Sequence, residues 1–134
     1  MNKPNAWPEY VRCVSFQATI EPLDSPAPGN PLQLSFQYRV DGEAGLFRVL
    51  SEVYDDDLLV LMTHIAKFAV APLPDDASEH AIGGFIDESV VPAVFPYIQE
   101  GAASAAARVR PKRPLLLKWN YDEPLELVKT SAKD

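Results

Sequence analysis

The chain's most constraining feature is a strict alternation of apolar and polar residues between positions 32 and 40. The apolar positions are Leu32, Leu34, Phe36, Tyr38 and Val40, with polar residues between them. Successive side chains of a β-strand point to opposite faces of a sheet, so this period of two predicts a half-buried strand. Asp41 and Gly42 follow at once, and this dipeptide suits the positive φ angles of hairpin turns. The sequence therefore predicts an antiparallel hairpin that begins near residue 32.

Three further segments have the pattern of strands. Residues 9–20 alternate, with one face formed by Tyr10, Val14, Phe16, Ala18 and Ile20. Residues 22–31 contain four prolines, and since proline lacks the N–H that a strand ladder needs, we expect a loop there. A third strand is expected at about 45–54, closed by Asp55-Asp56-Asp57, and a fourth at 58–70.

The fourth predicted strand is apolar on both faces. One face carries Val60, Met62, Ala66 and Phe68, and the other carries Leu59, Leu61 and Ile65. A strand in a half-solvated antiparallel sheet has one polar face, so this one either lies deep in the core or has a helix on one face and a partner subunit on the other. We therefore expect an oligomer, a homodimer or homotetramer, with Val60, Met62 and Phe68 at the interface.

Helical periodicity follows the strands. Residues 71–87 predict a polar loop with a short helical turn near 80–85, and residues 88–110 predict the main helix, with apolar residues at three- and four-residue steps. Pro96 is expected to kink or restart this helix, and Pro111 and Pro114 to end it. The tail from 115 to 128 is expected to be extended, with Trp119 and Tyr121 available to anchor it.

Composition limits the class of protein. The 134 residues suit one domain spanning 1–134, and we expect its ends, 1–8 and 129–134, to be flexible. The net charge of −7 disfavours binding to nucleic acid, because it repels a phosphate backbone. The basic run at 108–113 is expected to be a solvated turn. The first residues contain no signal-peptide-like apolar run, and no apolar stretch approaches the ~20 residues that span a bilayer. With one cysteine, Cys13, a reducing compartment and thus the cytoplasm is expected.

The search for catalytic or metal-binding motifs is negative. His64 and His80 are the only histidines and lack metal-ligand spacing, and Asp55-Asp56-Asp57 lacks the spacing of a calcium loop. Arg12 is next to Cys13, but on a strand their side chains point to opposite faces, so the thiol is interpreted as structural. No nucleophile elbow or phosphate-binding glycine loop is present. We expect no enzyme activity, cofactor or metal.

Three motifs in order make the chain resemble the SecB-like chaperones, over roughly residues 9–125. Val14-Ser15-Phe16-Gln17-Ala18 is similar to the ISFEA-type motif of the family's first strand. Val94-Phe95-Pro96-Tyr97 is similar to its LFPYAR helix motif. Leu115-Leu116-Leu117 with Asn120-Tyr121-Asp122 is similar to its LNL…NFD segment.

The resemblance implies an α+β fold, a four-stranded antiparallel sheet with a long proline-interrupted helix packed on one face. It also implies an ATP-independent holdase, a dimer of dimers that binds unfolded or aggregation-prone polypeptides in apolar grooves. The expected peptide-binding residues are Leu32, Leu34, Phe36, Tyr38, Trp119 and Tyr121.

Two departures separate the chain from the export chaperone. Cys13 and Gln17 occupy positions where the family has acidic residues for docking the SecA motor, and Pro124 interrupts the region of the family's final helix. The client could thus belong to protein export or be a dedicated one, such as an antitoxin. The alternatives are a structural or regulatory oligomer without client binding, which would bury Leu32, Leu34 and Phe36, and a small-molecule enzyme on the same scaffold.

Overall fold

The computed structural model describes residues 6–20, 31–55, 57–112, 115 and 127–129. The elements in chain order are β1 (Tyr10–Ile20), β2 (Leu32–Asp41), β3 (Ala44–Asp55), β4 (Leu58–Phe68), α1 (Glu79–Phe85), a π-helical turn (Ile86–Val90), α2 (Val91–Val109) and β5 (Leu127–Lys129). The four long strands are antiparallel and the helices follow them in sequence, so the predicted α+β class is confirmed. The flexibility expected at 1–8 and 129–134 concerns positions mostly outside these ranges.

The strand order is β1-β4-β3-β2-β5. Asp41 lies opposite Ala44, which leaves Gly42 and Glu43 as the turn of the predicted hairpin. Gly42 has a φ of 62°, a left-handed conformation that glycine adopts without steric cost. The Asp-Gly signal therefore placed this hairpin correctly.

The fifth strand was not predicted. Leu127–Lys129 pairs in parallel with β2, so that Leu127 lies opposite Leu34 and Lys129 opposite Phe36. The sequence analysis expected an extended tail but gave it no place in the sheet. Three residues are too short for a period of two to be recognised, and this is why the prediction stopped at four strands.

A β-bulge in β1 reverses part of the predicted pattern. Cys13 lies opposite His64 and Ser15 opposite Thr63, so Val14 is an additional residue with no partner of its own. An inserted residue shifts the alternation by one. Val11 and Cys13 therefore share the face of Phe16 and Ala18, whereas Tyr10, which the sequence analysis assigned to that face, lies on the opposite one.

The helical segment begins earlier than predicted. The Ser78 Oγ accepts a hydrogen bond from the Ala81 N–H at 3.1 Å, which caps α1. In the π-helical turn the Val91 N–H donates to the Ile86 carbonyl, five residues back, and Pro92 follows in the first turn of α2, where its missing N–H is tolerated. The segment is thus helical without a break from Glu79 to Val109, through Pro96, where the sequence predicts a short turn near 80–85 and a main helix from residue 88.

The helices cover one face of the sheet, which we call the helix face; the other is the outer face. The core between them includes Phe47, Val49, Val53, Val60, Val94, Phe95 and Ile98. A Cβ on Gly101 would lie 2.5 Å from the Met62 Sδ, so α2 approaches β4 as closely as a glycine allows. By length and hydropathy the segment 79–109 could cross a membrane; half of its most apolar window is buried within this chain, and core helices pass the same test.

Candidate polypeptide-binding surfaces

The four predicted peptide-binding residues of β2 lie in the core. Leu32, Leu34, Phe36 and Tyr38 point to the helix face, and each is at most 5 % exposed. The sequence analysis expected these side chains in an open groove, whereas the structure covers them within one chain. The other two predicted residues, Trp119 and Tyr121, lie outside the described residues.

The contacts of Tyr38 show how the helices cover the apolar strip of β2, which consists of Leu32, Leu34, Phe36 and Tyr38. The Tyr38 hydroxyl donates to the Leu73 carbonyl at 2.5 Å, and its ring stacks on Phe47 with centroids 4.5 Å apart. Phe85 of α1 in turn stacks on Phe47, with ring centroids 5.5 Å apart. Burial raises the pKa of Tyr38, so the phenol stays neutral at physiological pH. The strip is therefore fixed by an aromatic cluster that joins the sheet to α1.

The three predicted interface residues are also covered by the chain's own helices. Val60, Met62 and Phe68 lie on the helix face, Met62 under Gly101 and Phe68 edge-on to Phe85 at 5.2 Å. The helices thus cover Val60 and Phe68, while Met62 also lines a cavity described below. The helix layer thus explains one apolar face of β4. The other face, with Leu59, Leu61 and Ile65, is half-buried on the outer side.

The described chain exposes apolar side chains along strand β1, at the end of the sheet. Val14, Phe16 and Ile20 are 40–50 % exposed, and Tyr97 of α2 is 46 % exposed. We call these four residues the β1 edge surface. Within the described part of the chain no strand pairs with the free edge of β1. An exposed apolar edge offers unpaired N–H and C=O groups together with hydrophobic area, so it is a site for another strand.

A cavity of about 340 Å³ opens beside this surface, between β1, β4 and α2. Its walls include Cys13, Phe16, Met62, Tyr97 and Gly101. No sequence signal pointed to it, because the bulge at Val14 is what brings Cys13 to the helix face. The cavity is large enough for an apolar side chain of another polypeptide.

His64 lies at the base of this cavity. It is 2 % exposed, and its Nδ1 is buried without a hydrogen-bond partner among the described residues. Desolvation lowers the pKa of His64, so the imidazole is neutral at physiological pH. His64 is thus a core histidine with one unsatisfied nitrogen. No group of three or more potential metal ligands occurs among the described residues.

The edge of β2 already binds an extended segment. β5 pairs with Leu34, Ser35 and Phe36, whereas β2 has ten residues. A parallel ladder this short contributes little stability. This edge therefore accepts a polypeptide backbone, and most of its length is not used by β5.

Comparisons with known proteins give the class of fold. No family model and no curated protein matches the chain. Among solved structures it is similar to the Mycobacterium tuberculosis Rv1957 SecB-like chaperone in complex with a ChAD peptide from the Rv1956 HigA1 antitoxin, with 22 % identity, a TM-score of 0.57 and coverage of 84 % of this chain and 89 % of that one. A Streptococcus agalactiae protein of unknown function matches with 9 % identity, a TM-score of 0.51 and coverage of 83 % and 94 %.

The chain thus has the SecB-like fold, and the resemblance predicted from its three motifs is confirmed at the level of the fold. At these identities the comparison concerns the fold alone.

Proposed function

We propose that the protein is an ATP-independent holdase for unfolded or aggregation-prone polypeptides. The observation that supports this most is the pairing of β5 with the edge of β2, which places an extended segment beside the apolar strip Leu32–Tyr38. Main-chain hydrogen bonds at a strand edge do not depend on the sequence of the added strand. Such an edge therefore suits clients of varied sequence.

In this proposal the client takes the place of β5. Its alternate side chains would lie next to Leu34 and Phe36 as cross-strand neighbours. Leu32 and Tyr38 would extend this contact when the client strand is longer than β5, and Trp119 and Tyr121 remain proposed contacts from the tail. β5 then acts as a placeholder that the client displaces.

We further propose that the protein is a homodimer or homotetramer in the cytoplasm, and that it needs no cofactor. The β1 edge surface is the favoured contact between subunits, since pairing of two β1 edges would cover Val14, Phe16 and Ile20 and continue the sheet. Stable interfaces bury about 800 Å² per partner, which an 11-residue edge strand together with Tyr97 can approach.

A dedicated client such as an antitoxin is favoured over general export. The similar M. tuberculosis chaperone was solved with an antitoxin peptide. Docking to the SecA motor is not supported here. Gln17 is neutral, and the bulge places Cys13 on the helix face, the opposite face from Gln17.

A second function is favoured by one observation. Burial of Leu32, Leu34 and Phe36 within a single chain is what a structural or regulatory oligomer without client binding would have. The two functions differ in whether β5 can be displaced.

Suppression of aggregation of a chemically denatured model enzyme, without ATP, tests the proposal. A holdase should suppress aggregation and saturate at a fixed molar ratio. The variant Val128→Pro removes a β5 N–H and should suppress at a lower ratio, because the placeholder is weakened. Absence of suppression by both the folded wild type and the folded variant would favour the structural oligomer.

A further inference from the structure

We propose that the outer face of the sheet binds an acidic segment of a partner polypeptide. The proposed site, the outer basic patch, consists of Arg12, Arg39, Arg48 and Lys67, one cation from each of the four long strands. It lies on the opposite side of the sheet from the helices and goes beyond the proposed client site.

The strand register places these four cations together. One row across the sheet runs Arg39, Leu46, Lys67 and Tyr10, and the next runs Gln37, Arg48, Ile65 and Arg12. Their sequence neighbours Tyr38, Phe47 and Ala66 are buried on the helix face, so both rows face outward. With strands about 4.8 Å apart and rows about 6.8 Å apart, the patch spans roughly 15 Å.

The charge of this patch is opposite to that of the whole chain. The protein has a net charge of −7, yet this corner of the outer face carries four of its 12 basic residues. Lys67 pairs with Glu9 at 3.5 Å, while Arg12, Arg39 and Arg48 are exposed and form no ion pair with any described residue. These guanidinium groups are therefore available to a carboxylate.

Apart from Glu9, which pairs with Lys67, and Asp75, which accepts a hydrogen bond from the Val40 N–H at 3.0 Å, the acidic residues nearby lie away from the patch. Asp41 and Glu43 lie at the hairpin end of β2 and β3, beyond Arg39. The row with Arg12 and Arg48 contains no carboxylate. The row after it, Ser15, Thr63, Leu50 and Ser35, contains none either.

The floor of the patch contains apolar side chains beside Gln37. A cavity of about 280 Å³ is lined by Tyr10, Leu46 and Ile65 together with Arg39 and Arg48. The Arg12 Cζ lies 4.7 Å and the Lys67 Nζ 5.7 Å from the centroid of the Tyr10 ring, so cation–π contacts hold two of the charged groups at the rim. The fitting ligand has carboxylates at the rim and an apolar side chain in the cavity.

These features favour a polypeptide over a nucleic acid. The acidic remainder of the protein repels a phosphate backbone, and four cations around a partly apolar floor offer few phosphate contacts. An extended peptide rises about 3.3 Å per residue and directs alternate side chains to one face, so about five residues cross the patch, and two carboxylates four residues apart, about 13 Å, flank a central apolar side chain. An extended segment with acidic residues and one apolar residue at alternate positions, and so on one face, is therefore the occupant.

Fluorescence anisotropy with a labelled peptide of about seven residues, in which two glutamates flank one leucine at alternate positions and serines fill the other positions, tests the proposal on the full chain. We expect binding that weakens as salt is raised, and an affinity reduced about tenfold by Arg48→Glu or Arg39→Glu. Lys112→Glu makes the same change of charge in the exposed turn after α2 and should alter the affinity less than about twofold. A peptide with glutamine in place of glutamate controls for apolar binding.

Three results would overturn the inference: equal losses in Arg48→Glu and Lys112→Glu, equal binding of the glutamine peptide, or tighter binding of a single-stranded oligothymidine. Circular dichroism verifies that the variants are folded. Suppression of aggregation should be unchanged in Arg48→Glu, so failure of this inference is distinguishable from failure of the proposed holdase function.

Discussion

Arg110 and Asp55 join the end of α2 to the end of β3. The Arg110 guanidinium donates to the Asp55 carboxylate through one nitrogen and to the Asp55 carbonyl, at 3.3 Å, through another. The Arg110 side chain is buried, while that of Asp55 is about two-fifths exposed. The sequence analysis treated residues 108–113 as a solvated basic turn, which is wrong for Arg110.

The first prediction concerns this pair. Arg110→Ala should lower the free energy of unfolding by about 1–3 kcal/mol, since charge-assisted hydrogen bonds and side-chain packing are lost. Arg108→Ala, at an exposed position on α2, should change it by less than about 0.5 kcal/mol. Urea unfolding measures both. A double-mutant cycle with Asp55→Ala isolates the pair, and a coupling near zero would contradict its role.

The close approach of α2 to β4 gives the second prediction. Gly101→Ala adds a methyl group 2.5 Å from the Met62 Sδ and should destabilise the protein by about 1–2 kcal/mol, although alanine favours helices. Gly84→Ala in α1 meets nothing within 4 Å and should stabilise it by about 0.5–1 kcal/mol. Thermal unfolding compares the two. If the contact is the cause, the penalty of Gly101→Ala shrinks in a Met62→Ala background.

The third prediction is a dependence of stability on pH. Because burial lowers the pKa of His64 below its usual 6.5, the unfolded chain binds a proton more readily than the folded one. Stability is therefore full above pH 6.5 and falls as the pH drops toward the lowered pKa of the folded state. The stability of His64→Gln should change less between pH 7.5 and 5.5, within the range in which histidine titrates.

Asp87 affects stability in a lower pH range than His64, and its effect on stability has the opposite sign. Burial, and to a smaller degree Glu88, raises the pKa of Asp87 above 3.8, so this carboxyl favours folding as the pH falls toward that range. Both the wild type and His64→Gln contain Asp87, so comparing their stabilities at each pH removes the contribution of Asp87. An identical pH profile for both proteins would refute the role of His64.

The fourth prediction tests the β1 edge surface. Phe16→Asp should dissociate the oligomer without unfolding the subunit, because this side chain is 44 % exposed and its charge would repel a second β1 edge. Gln17→Asp places the same charge on the outer face of the same strand and should leave assembly intact. Light scattering over a range of concentrations measures both. A wild-type protein that stays monomeric at every concentration would contradict the proposed assembly.

The fifth prediction separates stability from client binding on β2. Phe36→Asp should lower the free energy of unfolding by about 3 kcal/mol or more, since a carboxylate would enter the core. Gln33→Asp, on the outer side of the same strand, should be nearly neutral. Urea unfolding checks this, and an unaffected stability of Phe36→Asp would mean that the strip is accessible after all.

The strands with a regular period could be predicted, whereas features that depend on tertiary contacts could not. The alternation of β2 and the Asp-Gly turn located the central hairpin, and three motifs pointed to the SecB-like fold. Burial of Leu34 and Phe36 could not be predicted, because a period of two shows that one face is apolar and does not show what covers it. The sequence predicts a short turn near 80–85 and a separate helix from residue 88, because the π-helical turn that joins α1 to α2 has no sequence signature.

Val14, the additional residue of β1, determines which chemistry each side of the sheet presents at this end. Because of it, Arg12 joins the outer basic patch and Cys13 reaches the cavity beside His64. Without Val14, the side chains that precede it in β1 would exchange faces. The Arg12 guanidinium would then point to the helices and the Cys13 thiol to the outer face. Relatives of this protein that differ in length by one residue here would thus exchange the properties of two surfaces at once, even with every other amino acid unchanged.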